Sequence, residues 1–269
     1  MTILANAPLI EAIFEIRWGN FKTDPVSKGQ ELFFSRDEID FFFGKFRTIA
    51  ESAGFSHIER VIPEDAPPFP HVVCFRFRKS PNTWPCYQIG LGVFTTNQVN
   101  DGYEWEVFKQ DILNGIDFLD RGHPIGLEKL PLIRMELRYR DGFLFKEGDS
   151  PIDFLNKNME IELNIPNDFI ESEFISYPIS GTKLSFSLQT VKPNGAIIIN
   201  LNQGTINAQP GFILDAITRC TKKDITKLSG SFIKNWLEET HEIQRHAFSK
   251  LINPIFSPDR SNLNPASLY

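Results

Sequence analysis

Two segments of the chain alternate apolar and charged residues and therefore predict β-strands. Residues 11–18 read Glu-Ala-Ile-Phe-Glu-Ile-Arg-Trp, and residues 132–141 read Leu-Ile-Arg-Met-Glu-Leu-Arg-Tyr-Arg-Asp. Successive residues on a strand point to opposite faces, so each segment predicts one apolar face and one face rich in Arg and Glu. The charged faces carry Glu11, Glu15, Arg17, Arg134, Glu136, Arg138 and Arg140. Such a face must meet water, a partner or an anionic ligand.

A third segment, 72–78, alternates in the same way, with Arg76 and Arg78 on one side. Residues 87–96 predict the strand that returns beside it. If these strands share one sheet, their apolar sides form the face that helices cover. The side chains expected on this buried face are Phe14, Ile16, Trp18, Phe75, Phe77, Met135, Leu137 and Tyr139.

Two helices are predicted by capping signals that precede apolar stripes. Ser35 with Glu38 forms a capping box, and Gly54 is a natural stop after the last turn. Asp101 with Glu104 repeats the box, and Gly122 ends the second helix. Spacings of three and four predict the buried stripes Ile39, Phe42, Phe46, Ile49 and Ala53, then Trp105, Phe108, Ile112, Ile116 and Leu119.

The order of elements predicts the fold class. The N-terminal half reads strand, helix, strand, strand, helix, strand, which predicts an α+β two-layer sandwich with ferredoxin-like order. In the C-terminal half, segments 183–191, 196–201 and 212–218 are separated by turn residues at Pro193–Gly195 and Asn202–Gly204. This spacing predicts an antiparallel meander. A long helix follows, with the apolar stripe Ile225, Leu228, Phe232, Trp236, Ile243, Ala247 and Leu251.

The chain has no clean linker, which favours two lobes that share a face over two independent domains. We expect an N-terminal α+β lobe at residues 1–148 and a C-terminal lobe of meander and helix at 149–252. Residues 253–269 are rich in Pro, Ser and Asn and predict a tail that is only partly fixed.

Composition limits the classes of function. The 269 residues are 41% hydrophobic and 23% charged, as in soluble globular proteins. The 25 Phe residues favour a well-filled core over an exposed apolar surface that recruits a partner. The net charge of −6 disfavours a non-specific nucleic-acid binder, which needs a basic surface, but leaves a local Arg patch open.

Cysteine usage and the lack of targeting signals predict a cytoplasmic protein. Cys74, Cys86 and Cys220 lack metal-ligand spacing and suit reduced, buried thiols. The first residues lack the basic and apolar regions of a signal peptide, and no segment approaches the ~20 apolar residues of a membrane span. No membrane association is therefore expected.

The opening segment Asn6–Trp18 (NAPLIEAIFEIRW) and the mid-chain segment Ile133–Tyr139 (IRMELRY) resemble a sporadically distributed family of uncharacterised prokaryotic proteins of about this length. The strand at Tyr87-Gln88, the helix start at Tyr103–Trp105 and the helix of His241 follow in similar order. The resemblance implies no activity. Scattered occurrence suggests an accessory gene, such as a defence or toxin–antitoxin component.

The charged strand faces predict the best candidate for a ligand site. Arg side chains recognise phosphate or carboxylate groups in pairs, and the acidic side chains could hold a divalent cation beside a polyphosphate. The alternative is Glu–Arg pairing on a solvated face, which the sequence favours because such pairs are common. The residues of this anionic-ligand site are Arg17, Arg134, Arg138, Arg140, Arg76, Arg78, Glu15 and Glu136.

No other pattern predicts a catalytic residue, a metal site or a cofactor. His241 and His246 resemble the zinc protease motif, but a spacing of five places them about 140° apart around a helix. His241 is therefore expected to pack inside the fold. Cys74 and Cys86 lie on apolar strands, which favours inert thiols.

The sequence therefore favours a non-enzymatic subunit that binds another protein, encoded nearby, or a second copy of itself in a homodimer. The alternative is a metal-dependent phosphoryl enzyme, or a binder of nucleotides, polyphosphate or nucleic acid, that uses the Arg/Glu strand faces. The acidic net charge makes nucleic acid the least favoured of these ligands.

Overall fold

The computed structural model describes residues 9–23, 30–99, 103–146, 148, 150–175, 179, 181–225 and 227–252. The strands are β1 (Leu9–Trp18), β2 (Asn20–Thr23), β3 (Gln30–Phe33), β4 (His57–Arg60), β5 (Val73–Arg78), β6 (Cys86–Gly90), β7 (Val93–Val99), β8 (Leu132–Leu144), β9 (Lys183–Val191), β10 (Asn194–Ile206) and β11 (Gln209–Thr221). The helices are α1 (Arg36–Ser52), α2 (Trp105–Gly122), α3 (Pro151–Asn158), α4 (Asn167–Ile170) and α5 (Gly230–Leu251).

Nine strands form one sheet in the order β4-β5-β6-β7-β1-β8-β11-β10-β9, while β2 and β3 form a separate hairpin. Every neighbouring pair of the large sheet is antiparallel. The α+β class is therefore confirmed, but the ferredoxin-like order is not. Four strands, β4 to β7, separate α1 from α2 where that order has two. The strands of both expected lobes meet where β8 pairs with β11, and the expected tail at 253–269 lies outside the described residues.

The core lies between one face of the sheet and the helices. Leu137, the central side chain of the expected core, is fully buried on β8. Its neighbours Phe14, Ile16, Trp18, Phe77, Met135 and Tyr139 are at most 1% exposed, and Phe75 packs against them while partly buried. The alternation phase predicted for β1, β5 and β8 is confirmed.

Helix α1 begins with the predicted capping box, because Ser35 and Glu38 exchange side-chain and backbone hydrogen bonds. The predicted stripe is wrong at both ends. Glu38 and Ala50 are buried, whereas Ile39 is 44% exposed and Ala53 is exposed. Glu38 can be buried at the start of the stripe because other buried side chains donate hydrogen bonds to it.

Those partners form a small buried network. Glu38 accepts hydrogen bonds from Trp18 Nε1 at 3.2 Å and from His123 Nε2 at 3.1 Å. Burial alone would raise the pKa of Glu38, but the bonds from His123 and Ser35 outweigh it and lower that pKa to about 2. The network ties α1 to β1 and to the end of α2.

Helix α2 follows its prediction closely. All five side chains of its apolar stripe are buried, and the helix ends at Gly122. Asp101 of the predicted box lies outside the described residues, and the N-cap Glu104 makes no side-chain capping bond. At Gly115 a Cβ atom would lie 2.6 Å from the ring of Phe94, so glycine allows the close approach of α2 to the sheet.

The C-terminal meander is confirmed, with one turn displaced. Asn202–Gly204 lies inside β10, and the chain reverses at Asn207 and Ala208, both of which have positive φ. Ser150 and Pro151 begin α3 as predicted. The buried face of α5 differs from its predicted stripe and consists of Ile233, Trp236, Leu237, Thr240, His241, Gln244 and Phe248. Gln244 is buried there because its amide donates to carbonyls of Leu137 and Ala216.

Candidate functional site

The predicted charged residues of β1 and β8 lie side by side on the face of the sheet that is opposite the helices. We call this group, with its neighbours on β11, the Arg/Glu face: Glu11, Glu15, Arg17, Arg134, Glu136, Arg138, Arg140, Asp215 and Arg219. Strand register places Glu15 opposite Glu136 and Arg17 opposite Arg134. Like charges therefore face each other across two neighbouring rows, which is destabilising unless charges of the other sign neutralise them.

Glu15 neutralises the Arg row. Arg17 donates from Nε and Nη2 to the two carboxylate oxygens of Glu15, at 2.7 and 2.9 Å. Arg134 donates to the same carboxylate at 3.3 Å. Burial would raise the pKa of Glu15, but the hydrogen bonds and charges of Arg17 and Arg134 outweigh it and lower the pKa. Glu15 is thus held as a carboxylate at neutral pH.

Glu136 is the centre of the network. Its side chain is 2% exposed, and Arg219 donates to it at 2.6 Å. Arg134 Nε lies 3.0 Å away and Arg138 Nη2 lies 3.6 Å away. Three guanidinium groups thus surround one buried carboxylate, which needs such partners to be buried in charged form.

A second pair borders this centre. Arg140 donates to both carboxylate oxygens of Asp215, at 2.9 and 3.3 Å. The hydrogen bond that Arg140 donates to Asp215 is the main reason that the pKa of Arg140 is raised. Ile217, which lies opposite Arg138 in the strand register, is only 6% exposed, so an apolar side chain is buried among the charged ones.

Arg76 and Arg78 lie on β5, in the same sheet, but β6 and β7 separate them from β1. They approach Glu59 of β4 at 4.0 and 3.7 Å. Arg78 also donates to the carbonyl of Thr83 at 2.7 Å and lies over the ring of Trp84. The predicted eight residues therefore form two groups.

A chain of hydrogen bonds connects the two groups across the sheet. Arg76 donates to Gln88 at 3.1 Å, Gln88 donates to Asn97 at 2.8 Å, and Asn97 donates to Glu11 at 2.7 Å. The side chains of four strands are therefore fixed in one polar layer. The sequence did not indicate Gln88 or Asn97, because their roles depend on the order of the strands.

Asp215 and Arg219 are the charged members of the Arg/Glu face that sequence reasoning missed. Both lie on β11, whose pairing with β8 joins residues far apart in the chain. Their spacing in Asp215-Ala-Ile-Thr-Arg219 does place both on one side of a strand. The sequence did not indicate that β11, which carries both residues, pairs with β8.

A second polar cluster lies inside the core, around His241. The imidazole stacks on the ring of Trp105, with centroids 4.1 Å apart and planes 5° apart. Its Nδ1 atom is 3.2 Å from the hydroxyl of Tyr139, which is 2.8 Å from that of Tyr103. Burial, with the charges of Arg245 and Lys109, lowers the pKa of His241 to about 3. The predicted packing of His241 inside the fold is confirmed, while His246 is exposed.

Asp141 is the most unusual group in the core. Its carboxyl group is 1% exposed, and neither oxygen has a hydrogen-bond partner in the described part of the chain. Burial, and secondarily the charge of Asp215, raises the pKa of Asp141 to about 8. The group is therefore mostly protonated at neutral pH. Sequence reasoning placed it only at the end of a strand.

The three thiols behave as predicted, since Cys74, Cys86 and Cys220 are free and buried. Burial raises the pKa of Cys86 to about 11. Among the described residues, no three His, Cys, Asp or Glu side chains are placed to hold a metal ion. The described helices include none with the length and apolar character that crossing a bilayer requires.

Comparison of the chain with protein-family models, with curated proteins and with solved structures finds no match.

Proposed function

We propose that this protein is a non-enzymatic subunit of a prokaryotic accessory system, such as a defence or toxin–antitoxin system, and that it binds another protein through the Arg/Glu face. The observation that carries the proposal is the internal pairing of this face. Each of its five Arg lies within 3.6 Å of a Glu or Asp of the same chain.

Internal pairing argues against a small anion as the main ligand. The five Arg of the face meet four carboxylates, Glu11, Glu15, Glu136 and Asp215, so the face carries a net charge of 5 − 4 = +1. An anion would have to displace carboxylates that accept bonds as short as 2.6 Å from Arg219 and 2.7 Å from Arg17. A protein surface can instead add contacts without breaking these pairs.

The partner chemistry follows from the donors that remain. Each Arg has five N–H groups, and the internal pairs use only some of them. With the described residues Arg138 makes a single ion pair, at 3.6 Å, and its side chain is 31% exposed. We therefore expect a partner surface that offers carboxylate and backbone carbonyl oxygens to ordered guanidinium groups, as Arg-rich interfaces do.

Exposed Phe side chains give independent support for partner binding. Among the described residues, Phe21, Phe33, Phe41, Phe69, Phe169 and Phe174 are 47–88% exposed. Most other Phe are buried, so the core does not account for these six. Exposed aromatic side chains on a soluble fold commonly belong to interaction surfaces.

Affinity capture from the native host tests the proposal. Tagged wild-type protein should retain a specific partner, and Arg138→Ala should lose it, because the side chain of this Arg is 31% exposed and its ion pair, at 3.6 Å, is longer than the pairs of the other Arg of the face. Arg121→Ala is the matched control, since this Arg is 56% exposed on α2, on the helical side. Equal recovery with both variants, or no specific partner, would contradict the proposal.

The second candidate function is the binding of an anionic ligand at the Arg/Glu face, either by a simple binder or by a metal-dependent phosphoryl enzyme. One observation favours it: Arg17 and Arg134 lie directly opposite each other and both donate to the carboxylate of Glu15, so two guanidinium groups stand side by side as in a paired anion site. A thermal-shift screen of the isolated chain with nucleotides, inorganic polyphosphate and divalent ions separates the two candidates, because a native-state ligand raises Tm. A rise in Tm that Arg134→Ala abolishes, or hydrolysis of a nucleotide by the isolated chain, would favour this candidate.

A further inference from the structure

Strand β9 ends the strand order of the sheet, and among the described residues it pairs with β10 alone, which leaves its other edge open. It is nine residues long, and Lys183 is its one charged side chain. Leu188 is 58% exposed and Val191 is 95% exposed. Proteins usually protect a free edge with a short strand, charges, proline or a covering loop, because an open edge can pair with another strand.

The opposite edge has this protection. Strand β4 has only four residues, and three of them, His57, Glu59 and Arg60, can carry charge. Arg60 also donates to the carbonyls of Ile62, Pro63 and Glu64, which holds the following loop against this edge. The contrast between the two edges makes β9 the edge that is available to pair with another strand.

The backbone groups that β9 offers can be identified. Gln203 N–H donates to the carbonyl of Thr182 at 2.9 Å, so this is a hydrogen-bonded pair of the ladder between β9 and β10. Because hydrogen-bonded and non-hydrogen-bonded pairs alternate, every second residue of β9 turns its N–H and C=O away from β10. These residues are Lys183, Ser185, Ser187, Gln189 and Val191.

We propose that β9 pairs with β9 of a second copy of the chain, antiparallel, about a two-fold axis beside Ser187. Ser187 is the midpoint of the strand, so this register uses all the outward N–H and C=O groups of both copies. The interface is isologous and closed, as in most homodimers. It joins the two sheets edge to edge.

The side chains of β9 suit a second copy. On the helical side, Phe186 of one copy comes opposite Leu188 of the other, which covers the exposed Leu188. On the other side, Ser187 meets Ser187 and Ser185 meets Gln189. Lys183 comes opposite Val191, so no like charges oppose each other, and the aliphatic stem of the lysine covers the valine. Within residues 185–189, polar side chains meet polar ones and apolar side chains meet apolar ones about Ser187, which favours self-pairing over pairing with an unrelated strand.

Sedimentation velocity on the isolated full chain tests the dimer. We expect the wild type to reach twice the mass of one chain as its concentration rises. Ser187→Pro should remain monomeric, because proline removes a central outward N–H but no bond to β10. Gln189→Ala is the control and should dimerise, since it keeps the backbone. A wild type that stays monomeric, or a dimeric Ser187→Pro variant with an unchanged Tm, would overturn the proposal.

Disulfide trapping tests the register without relying on proline. About the proposed axis the two Ser187 Cα atoms lie about 5.5 Å apart, within the range that a disulfide spans. The two Ser185 Cα atoms are offset by four residues, or about 13 Å. Ser187→Cys should therefore form a covalent dimer under mild oxidation, and Ser185→Cys should not. Equal trapping of both variants, or of neither, would contradict this register. The Arg/Glu face is a separate surface, so failure here leaves the proposed function unaffected.

Discussion

Replacement of Asp141 by Asn should stabilise the protein at neutral pH. The carboxyl group is buried without a hydrogen-bond partner among the described residues, and its pKa is about 8 in the folded state. In the unfolded chain the pKa of Asp is about 3.9. Between these values the folded state holds a proton that the unfolded state releases. The stabilising effect of this proton is complete below about pH 4 and is lost as the pH rises through about 8.

The size of the effect follows from the two pKa values. Each pH unit in this window lowers the free energy of unfolding by about 1.4 kcal/mol, because the unfolded chain releases a proton that the folded chain retains. The free energy of unfolding is therefore about 4 kcal/mol lower at neutral pH than at about pH 4. Asn cannot ionise but still leaves a polar group unpaired. We therefore expect Asp141→Asn to raise the free energy of unfolding by about 2–4 kcal/mol at neutral pH.

Urea unfolding followed by Trp fluorescence, repeated across this pH window, measures the effect. The difference between variant and wild type should grow with pH, which separates Asp141 from all other titrating groups. Asp117→Asn is the control, because Asp117 is 56% exposed on α2, and it should leave the pH dependence unchanged. A difference that is independent of pH, or a destabilised Asp141→Asn protein at mildly alkaline pH, would refute the reasoning.

Three further predictions concern the core. Leu137→Ala should lower the free energy of unfolding by about 2–5 kcal/mol, measured by urea unfolding, because the side chain is fully buried. Glu38→Gln should lower it by about 3 kcal/mol at neutral pH, since the depressed pKa of Glu38 gives stability that is lost as the pH falls from about 4 to about 2. A deficit of the same size in acid as at neutral pH would contradict that assignment. Metal analysis of purified protein should find no stoichiometric zinc, and one zinc per chain that His241→Ala loses would overturn the packing role of His241.

Local alternation was enough to predict which faces of β1, β5 and β8 are buried. The period of two is fixed by the backbone, and the segments keep it with few exceptions. The stripe of α2 was also predicted, because its buried positions are all apolar or glycine. These parts of the fold need no knowledge of distant contacts.

Buried polar residues explain most errors in the helices. Glu38, Thr240, His241 and Gln244 occupy core positions, three of them with hydrogen-bond partners from other elements. The predicted stripes of α1 and α5 were built from apolar residues only, so they were displaced from the helix positions where a polar residue is buried. The displaced turn has another cause: at Gly204 a Cβ would meet only ordinary contact, so this glycine fits a strand interior and is no sign of reversal.

The candidate site was predicted only in part, because some of its residues are brought together by contacts between distant parts of the chain. Alternation identified the charged residues of β1 and β8, but not the β8–β11 pairing that brings Asp215 and Arg219 to them. These two residues carry opposite charges and leave the net charge of the face unchanged. What they add is internal pairing, because Asp215 accepts from Arg140 and Arg219 donates to Glu136.

Isothermal titration with the captured partner tests the central claim, that the Arg/Glu face binds another protein, most directly. Wild-type protein and Arg121→Ala should bind the purified partner with equal Kd. Arg138→Ala should bind at least about tenfold more weakly, which corresponds to about 1.4 kcal/mol. Equal Kd values for all three proteins would place the interface elsewhere and contradict the account.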